Sequence, residues 1–273
     1  MNKSVTTGSV VSPDGTTITY DSIGEGPPII CVDGAFCTRT FGPMPKVAPL
    51  LAHNFRVITY DRRARGDSGD TKPYAVDREI EDLEALIKEM DGSAHVFGLS
   101  SGAALSLRAA ASGLNITKLA LYEPPFVGVD KTGHQPPVDG ADTLNRLIAS
   151  DRRGEAVTFY LSKIIGLPAV VPAIMRLMPM WPKMKAVAPS LPYDATIMAD
   201  FALPKKQLSS ITVPTLVVGG AKSPASLRMA VQAVADAVPG GRWQMLDRQN
   251  HNVSAKALAP VLDRFFATAA EPI

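Results

Sequence analysis

The stretch "HVFGLSSGAAL" (residues 95–105) places a serine between an apolar run and an alanine-rich run. The apolar run "SAHVFGLS" is typical of a buried strand, and "SGAALSLRAAAS" is typical of a helix. At their junction, Gly98, Ser100 and Gly102 form the pattern Gly-x-Ser-x-Gly. In this context the pattern predicts a tight, strained turn that projects a nucleophilic hydroxyl, with glycines where a side chain would clash.

Ser100 occupies the centre of the pattern, so we predict that it is the nucleophile and that the adjacent Ser101 is not. The N–H group of Ser101 begins the helix and would point toward a developing oxyanion. The alternative interpretation of the same residues is a Gly/Ser-rich turn of another kind, such as a phosphate cradle.

A catalytic serine needs a base, and the chain has four histidines. His251 lies in "LDRQNHNVSAKAL", a loop at the C-terminal end of the last predicted strand, where ligand chemistry gathers in open α/β sheets. We therefore predict His251 as the base, with a surface or helix-capping histidine as the alternative. His53, His95 and His134 are interpreted as structural.

Strand-like and helix-like segments alternate on both sides of this turn. "PPIICVDG" and "FRVITYDRR" are continuous apolar strands, and "REIEDLEALIKEM" has apolar residues at helical spacing. "GSVVSPDGTTITYDSIG" predicts a hairpin around "SPDG". The alternation predicts an α/β fold with a mostly parallel sheet and helices on both faces.

The pattern changes after residue 125. The segment "PAIMRLMPMWPKMKAVAPSLPYDATIMADFALP" is rich in methionine and proline and predicts short helices bounded by prolines. The strand–helix alternation resumes with "VPTLVVGG". We therefore predict a core domain in two parts, residues 1–125 and 209–273, with a helical lid at residues 126–208.

The composition favours a soluble globular protein, with 46% hydrophobic and 20% charged residues. A net charge of only +2 disfavours a nucleic-acid partner. Cys31 and Cys37 do not form a disulfide framework and lack metal-ligand spacing. The polar start "MNKSVTTGSVVSPDG" predicts no signal peptide or membrane span, so we expect a cytoplasmic enzyme without a metal or cofactor.

These features together resemble the α/β-hydrolase fold family over nearly the whole chain. The resemblance implies a mostly parallel, eight-stranded sheet flanked by helices, with a helical lid inserted after the sixth strand. It implies an oxyanion hole formed by the N–H groups of Ala35 and Ser101, with Phe36 in the wall of the site. In "VDGAF", Asp33 stands where the family usually has histidine. The turn "YDRRARGDSGD" is similar to the family's D-x-R-G-x-G-x-S turn and is interpreted as structural.

In this family the acid of the triad usually follows the seventh strand, where "VVGGAKSPASL" has no carboxylate. Some relatives, such as haloalkane dehalogenases, carry it after the sixth strand, at the place of Glu123 in "TKLALYEPPF". We therefore predict Glu123 as the acid that orients His251. Three alternatives stay open for the group that orients His251: Asp247, a lid acid such as Asp194 or Asp200, or no acid at all, as in a Ser–His dyad. Glu123 would then only cap its strand and pair with a surface cation.

Attack by Ser100 would form an acyl-enzyme, which predicts hydrolysis of a carboxylic ester, thioester or lactone. Methionines of the lid are adaptable apolar groups, although each could simply join lid helices to the core. The residues predicted for an apolar substrate pocket are Phe36, Met175, Met178, Trp181 and Met198.

The expected partner is a small apolar ester-type molecule. Two other functions stay open: a lyase, acyltransferase or cofactor-free haloperoxidase-like enzyme of the same fold, and a non-catalytic homologue that binds a small ligand. The oligomeric state is also open, with a homodimer among the alternatives.

Overall fold

In a computed structural model, which describes residues 4–127 and 134–268, the strands form one eight-stranded sheet. The strands are β1 (Val5–Val11), β2 (Thr17–Ile23), β3 (Pro28–Val32), β4 (Arg56–Tyr60), β5 (Ala94–Leu99), β6 (Ile116–Tyr122), β7 (Thr215–Gly220) and β8 (Arg242–Leu246). Their order is β1-β2-β4-β3-β5-β6-β7-β8. The β1–β2 hairpin and the β2–β4 pair are antiparallel, and the remaining neighbours are parallel. The predicted α/β architecture, with its mostly parallel eight-stranded sheet, is confirmed.

Helices cover both faces of this sheet. They are α1 (Met44–Leu51), α2 (Val76–Glu89), α3 (Ser101–Ala111), α4 (Gly140–Ala149), α5 (Arg153–Phe159), α6 (Val170–Met175), α7 (Trp181–Ala186), α8 (Leu191–Met198), α9 (Lys205–Leu208), α10 (Ala225–Ala237) and α11 (Ala255–Ala267). A π-helical turn (Tyr160–Ile164) follows α5, and a 3₁₀ turn (Ala188–Ser190) precedes α8. None of the helices in the described ranges is long and apolar enough to span a bilayer.

The central strands β3–β7 are largely buried on both faces, because their side chains alternate between two apolar clusters, whereas the edge strand β8 is mostly exposed. In β3, Ile30 and Val32 pack in the cluster that includes residues of α2, α3 and α10. Ile29 and Cys31 point the other way and pack in the cluster that includes residues of α1 and α11. Continuous apolar runs in the sequence therefore become central strands.

Helices α4–α9 lie between β6 and β7 in the chain, and we call them the inserted helices. They enclose a third apolar cluster that includes Leu144, Trp181 and Met198, and Ala35 and Phe36 of the loop after β3 pack against it. Residues 1–3, 128–133 and 269–273, which belong to the predicted core parts and lid, lie outside the described residues. The function of the inserted helices as a lid stays a prediction.

A buried ionic network joins the inserted helices to the sheet. Asp194 of α8 accepts hydrogen bonds from Arg62 at 2.8 Å and from Arg65 at 2.6 Å, both in the turn after β4. Arg62 also pairs with Glu79 of α2. Burial acts to raise the pKa of Asp194, but the two arginines and a hydroxyl donor outweigh it and lower the pKa. The carboxylate is therefore charged, and its neighbours compensate that charge.

We expect Asp194→Ala to lower the free energy of unfolding by about 3–5 kcal/mol, because it leaves the buried Arg65 without a carboxylate partner. Urea denaturation monitored by circular dichroism measures the change. The matched control is Glu84→Ala, which breaks an exposed ion pair with Lys88 and should have a much smaller effect. Equal losses in the two variants would contradict the importance that we assign to the buried network.

Candidate active site

The turn at Ser100 has the strained backbone that the sequence pattern predicts. Ser100 joins β5 to α3 with φ 56° and ψ −123°, a conformation that is uncommon for a residue with a side chain. Its N–H group donates to the carbonyl oxygen of Tyr122 at 2.9 Å, and its carbonyl oxygen accepts from Ala103 at 2.9 Å. Tertiary hydrogen bonds therefore hold the strained turn in place.

Three glycines allow the backbone to pack closely around Ser100. A Cβ atom on Gly102 would overlap the carbonyl oxygen of Val32, and one on Gly98 would overlap α3. A Cβ atom on Gly34 would lie 3.0 Å from the Cβ atom of Ser100. The loop after β3 therefore lies directly against the serine, which requires glycine at these positions.

The structure separates the environments of the two neighbouring serines. The Ser101 hydroxyl is buried and donates to Asp194 at 2.7 Å. Ser101 is also the first residue of α3, so its N–H group has no acceptor within the helix. The Ser101 side chain is thus engaged, while its backbone N–H group lies at the positive end of the helix dipole.

Glu123 follows β6 and is completely buried. One carboxylate oxygen, Oε2, lies 2.7 Å from Nδ1 of His251. The other, Oε1, accepts the N–H group of Gly220 at 2.8 Å and the hydroxyl of Ser223. Burial acts to raise the pKa of Glu123, but the hydrogen bonds from His251, Ser223 and Gly220 outweigh it and lower the pKa. Glu123 is therefore an ionised carboxylate that is fixed from both sides.

The loop after β8 presents His251 to this carboxylate. Tyr122 at the end of β6 donates its hydroxyl to the carbonyl oxygen of Asn250 at 2.7 Å. The Lys222 N–H group donates to the carbonyl oxygen of Gln249 at 2.8 Å. With Nδ1 donating to Glu123, the His251 ring keeps Nε2 as a proton acceptor. The His251 side chain is 42% exposed, so the ring lies at an opening of the site.

The other carboxylates considered from the sequence lie in different surroundings. Asp247 and Asp200 are exposed, and Asp194 is bound by its arginines and by Ser101. Glu123 is the one of these four that contacts the His251 ring. The partner of Glu123 is thus an imidazole and not the surface cation that a strand cap would have.

Of the remaining histidines, His95 and His134 make contacts elsewhere in the fold. His95 stacks on Phe266, and its Nδ1 atom lies within hydrogen-bond distance, 2.6 Å, of the Thr117 hydroxyl. Burial, with a smaller contribution from Lys118, lowers the pKa of His95 to about 4. His134 contacts the carbonyl oxygen of Lys163 at 2.7 Å, and His53 is exposed.

The loop that carries Ala35 and Phe36 is held through its carbonyl groups. Arg65 donates to the carbonyl oxygen of Gly34 at 2.6 Å and to that of Cys37 at 3.2 Å. Phe36 has φ 64°, and its ring meets the ring of Tyr160 edge-on at 5.3 Å. Burial raises the pKa of Asp33, at the start of the loop, to about 7, although Arg65 opposes the shift.

The residues predicted for the pocket occupy two kinds of surroundings. Trp181 and Met198 are buried in the cluster of the inserted helices, and Phe36 and Met175 pack against it. Met178 is 44% exposed and lies on the surface. The structure therefore brings four of the five predicted residues to one cluster and leaves Met178 apart from it.

Sequence reasoning missed three contacts that hold the predicted residues. Ser223 binds Glu123, Tyr122 fixes the His251 loop, and Asp194 holds Ser101. The role of Ser223 could have been suspected from the sequence, because this residue lies in the segment after β7 that has no carboxylate. The contacts of Tyr122 with Asn250 and of Asp194 with Ser101 had no signal in the local sequence pattern.

Comparison with known proteins supports the same fold. A model of the family described as "Alpha/beta hydrolase family" matches residues 33–264. The solved structure of an alpha/beta hydrolase from Sphaerobacter thermophilus is 50% identical, with a TM-score of 0.88, and the match covers 95% of this chain and 100% of that one.

Two further solved structures share the fold at lower identity. An enol-lactonase from Burkholderia xenovorans is 20% identical with a TM-score of 0.72, over 96% of this chain and 100% of its own. A bromoperoxidase from Bacillus anthracis is 18% identical with a TM-score of 0.69, over 96% of this chain and 100% of its own. At this level of identity the likeness extends to the fold alone.

We expect Ser223→Ala to raise the pKa of Glu123, because the carboxylate loses a donor that favours its charged form. Carbon-13 NMR titration of the glutamate side-chain carboxyl groups measures the change. Ser223→Thr should keep the lower pKa, and Ser210→Ala, which removes an exposed hydroxyl, is the matched control. An unchanged pKa in Ser223→Ala would contradict the role that we assign to this hydroxyl.

Proposed function

Because the chain belongs to the alpha/beta hydrolase family, we propose that it is a serine hydrolase that cleaves a carboxylic ester, lactone or thioester. The observation that carries this proposal is the 2.7 Å contact between Glu123 Oε2 and His251 Nδ1. It lies at the sheet edge where the strained Ser100 immediately precedes α3. Nucleophile, base and acid therefore follow β5, β8 and β6, which all end at this edge.

In the first step, His251 Nε2 takes the proton of the Ser100 hydroxyl as its oxygen attacks the acyl carbon. The carbonyl oxygen of the substrate becomes an oxyanion, which the N–H groups of Ala35 and Ser101 would stabilise. Glu123 favours the imidazolium that forms on His251 and keeps the ring in the required orientation.

In the second step, the bond between the acyl carbon and the leaving group breaks, and the imidazolium gives its proton to the departing alkoxide or thiolate. The acyl group stays bonded to Ser100. Water then attacks the acyl-enzyme while His251 accepts a proton from it. The bond between the acyl carbon and Ser100 Oγ breaks, and His251 returns the proton to Ser100 as the carboxylic acid is released. The same three side chains serve both the formation and the hydrolysis of the acyl-enzyme.

The surroundings of Glu123 argue against a non-catalytic homologue. The reason to consider such a homologue was the absence of an acid after β7. Glu123 reaches His251 from the neighbouring strand end, and the short Ser223 side chain after β7 binds Glu123. A buried carboxylate aligned on a partly exposed imidazole is costly to maintain and is typical of a catalytic pair.

The inserted helices favour an apolar substrate group. Their apolar cluster contacts Ala35 and Phe36, which lie next to Ser100 through Gly34. We propose that these helices act as a lid and that Phe36, Met175, Trp181 and Met198 contribute to the substrate pocket. Exclusion of water by such a cover would strengthen the hydrogen bonds to the oxyanion.

Ser100→Ala and His251→Ala should each reduce kcat for p-nitrophenyl acetate by at least about a thousandfold, because the two side chains act as a unit. Steady-state kinetics measures this loss, and a fluorophosphonate probe should label the wild type but not Ser100→Ala. His134→Ala is the matched control for removal of an imidazole. Wild-type rates in both catalytic variants would exclude the proposed mechanism.

Glu123→Gln should lower kcat by about two to four orders of magnitude, because an amide can hold His251 in the wrong tautomer and cannot stabilise imidazolium. The substitution preserves side-chain size, so circular dichroism should show an intact fold. Asp247→Asn is the control at the exposed alternative acid. If Asp247→Asn caused the larger loss, Asp247 and not Glu123 would be the acid.

A further inference from the structure

One hydroxyl in the apolar cluster of the inserted helices lacks a partner. Tyr160 is 1% exposed, and its hydroxyl makes no hydrogen bond to any part of the chain that the structure describes. Burial of an unpaired hydroxyl destabilises a protein, so native structures rarely contain one without a cause. The surroundings of Tyr160 indicate what this cause is.

Tyr160 contacts the loop that carries Ala35 and Phe36. It begins the π-helical turn after α5, and such turns occur frequently at functional sites. Its ring meets the Phe36 ring edge-on at 5.3 Å, and Ala35 belongs to the same apolar contacts. Tyr160 therefore lies over the loop that carries one of the proposed oxyanion donors.

The charges around Tyr160 indicate what its hydroxyl can bind. Burial, followed by the nearby Asp194 carboxylate, raises the pKa of Tyr160 well above the ordinary value for tyrosine. The phenol therefore stays protonated and can donate a hydrogen bond. Arg62 and Arg65 are already paired with Asp194, so the surroundings favour a neutral acceptor over a carboxylate.

We propose that the Tyr160 hydroxyl determines substrate specificity by donating a hydrogen bond to a neutral oxygen of the substrate, such as a ketone or ether oxygen. The proposal rests on the proposed function of Ser100 and defines the substrate class more closely. We assign the acceptor to the acyl group, because this part of the substrate remains in the site as the acyl-enzyme after the leaving group has departed. The substrate is thus an ester or lactone whose otherwise apolar acyl group carries a second oxygen.

Pairs of p-nitrophenyl esters test this assignment. Each pair has one acyl chain with a ketone and one saturated chain of equal length, beginning with levulinate and valerate and continuing to longer chains. Tyr160→Phe should lower the ratio of kcat/KM for the ketone ester to kcat/KM for its saturated partner by about tenfold in at least one pair. The substitution also removes a buried unpaired hydroxyl, so the Tm should rise.

Tyr60 provides a matched control. Tyr60, the last residue of β4, is 3% exposed, and its hydroxyl also lacks a partner among the described residues, but it lies in a different apolar cluster. Tyr60→Phe should leave the ratio at the wild-type value in every pair. A ratio unchanged by Tyr160→Phe in all pairs, or lowered equally by Tyr60→Phe, would overturn the proposal.

Binding without turnover separates this proposal from the proposed function. Calorimetry on Ser100→Ala should show tighter binding of a ketone ester than of its saturated partner, and a second substitution, Tyr160→Phe, should abolish the difference. If Ser100→Ala instead hydrolysed the esters at the wild-type rate, the proposed function would be wrong, and the ratios would still test Tyr160. If binding showed no preference that depends on Tyr160, the assignment of Tyr160 alone would be wrong.

Discussion

The buried carboxylate of Asp194 links the three parts of the structure that meet at Ser100. It accepts hydrogen bonds from Arg62 and Arg65 after β4 and from the Ser101 hydroxyl at the start of α3. Arg65 in turn holds the Gly34 carbonyl group in the loop after β3. Each of these buried charges needs its partner. The network therefore holds α8, the loop after β3 and the turn at Ser100 in one arrangement.

Glu123 is the second buried carboxylate of the site and the proposed acid. Glu123 lies at the end of β6, and its longer side chain reaches a histidine that follows β8. The N–H group of Gly220 and the hydroxyl of Ser223, both from the end of β7, compensate the desolvation of this charge. The segment after β7 thus contributes hydrogen-bond donors to a carboxylate that comes from the neighbouring strand.

The sequence predicted the burial of side chains less well in the inserted helices than in the sheet. Strand and helix periodicity in the core predicted which side chains are buried, as for Ile29 and Ile30 in β3. The inserted segment consists of short helices broken by prolines, so no long period marks a buried face. Met178 therefore resembled Met198 in the sequence, although one is exposed and the other is buried.

The sequence by itself determined the fold and the turn at Ser100, because both depend on local patterns: apolar periodicity and glycines around a serine. It also indicated His251 through its place after the last predicted strand, while Glu123 was predicted from the resemblance to relatives that carry the acid after the sixth strand. Only the tertiary structure placed those two side chains 2.7 Å apart, with Ser223 bound to Glu123 and Asp194 bound to Ser101. These contacts join residues far apart in the chain, so no local pattern encodes them; they depend on strand order and on the compensation of buried charge.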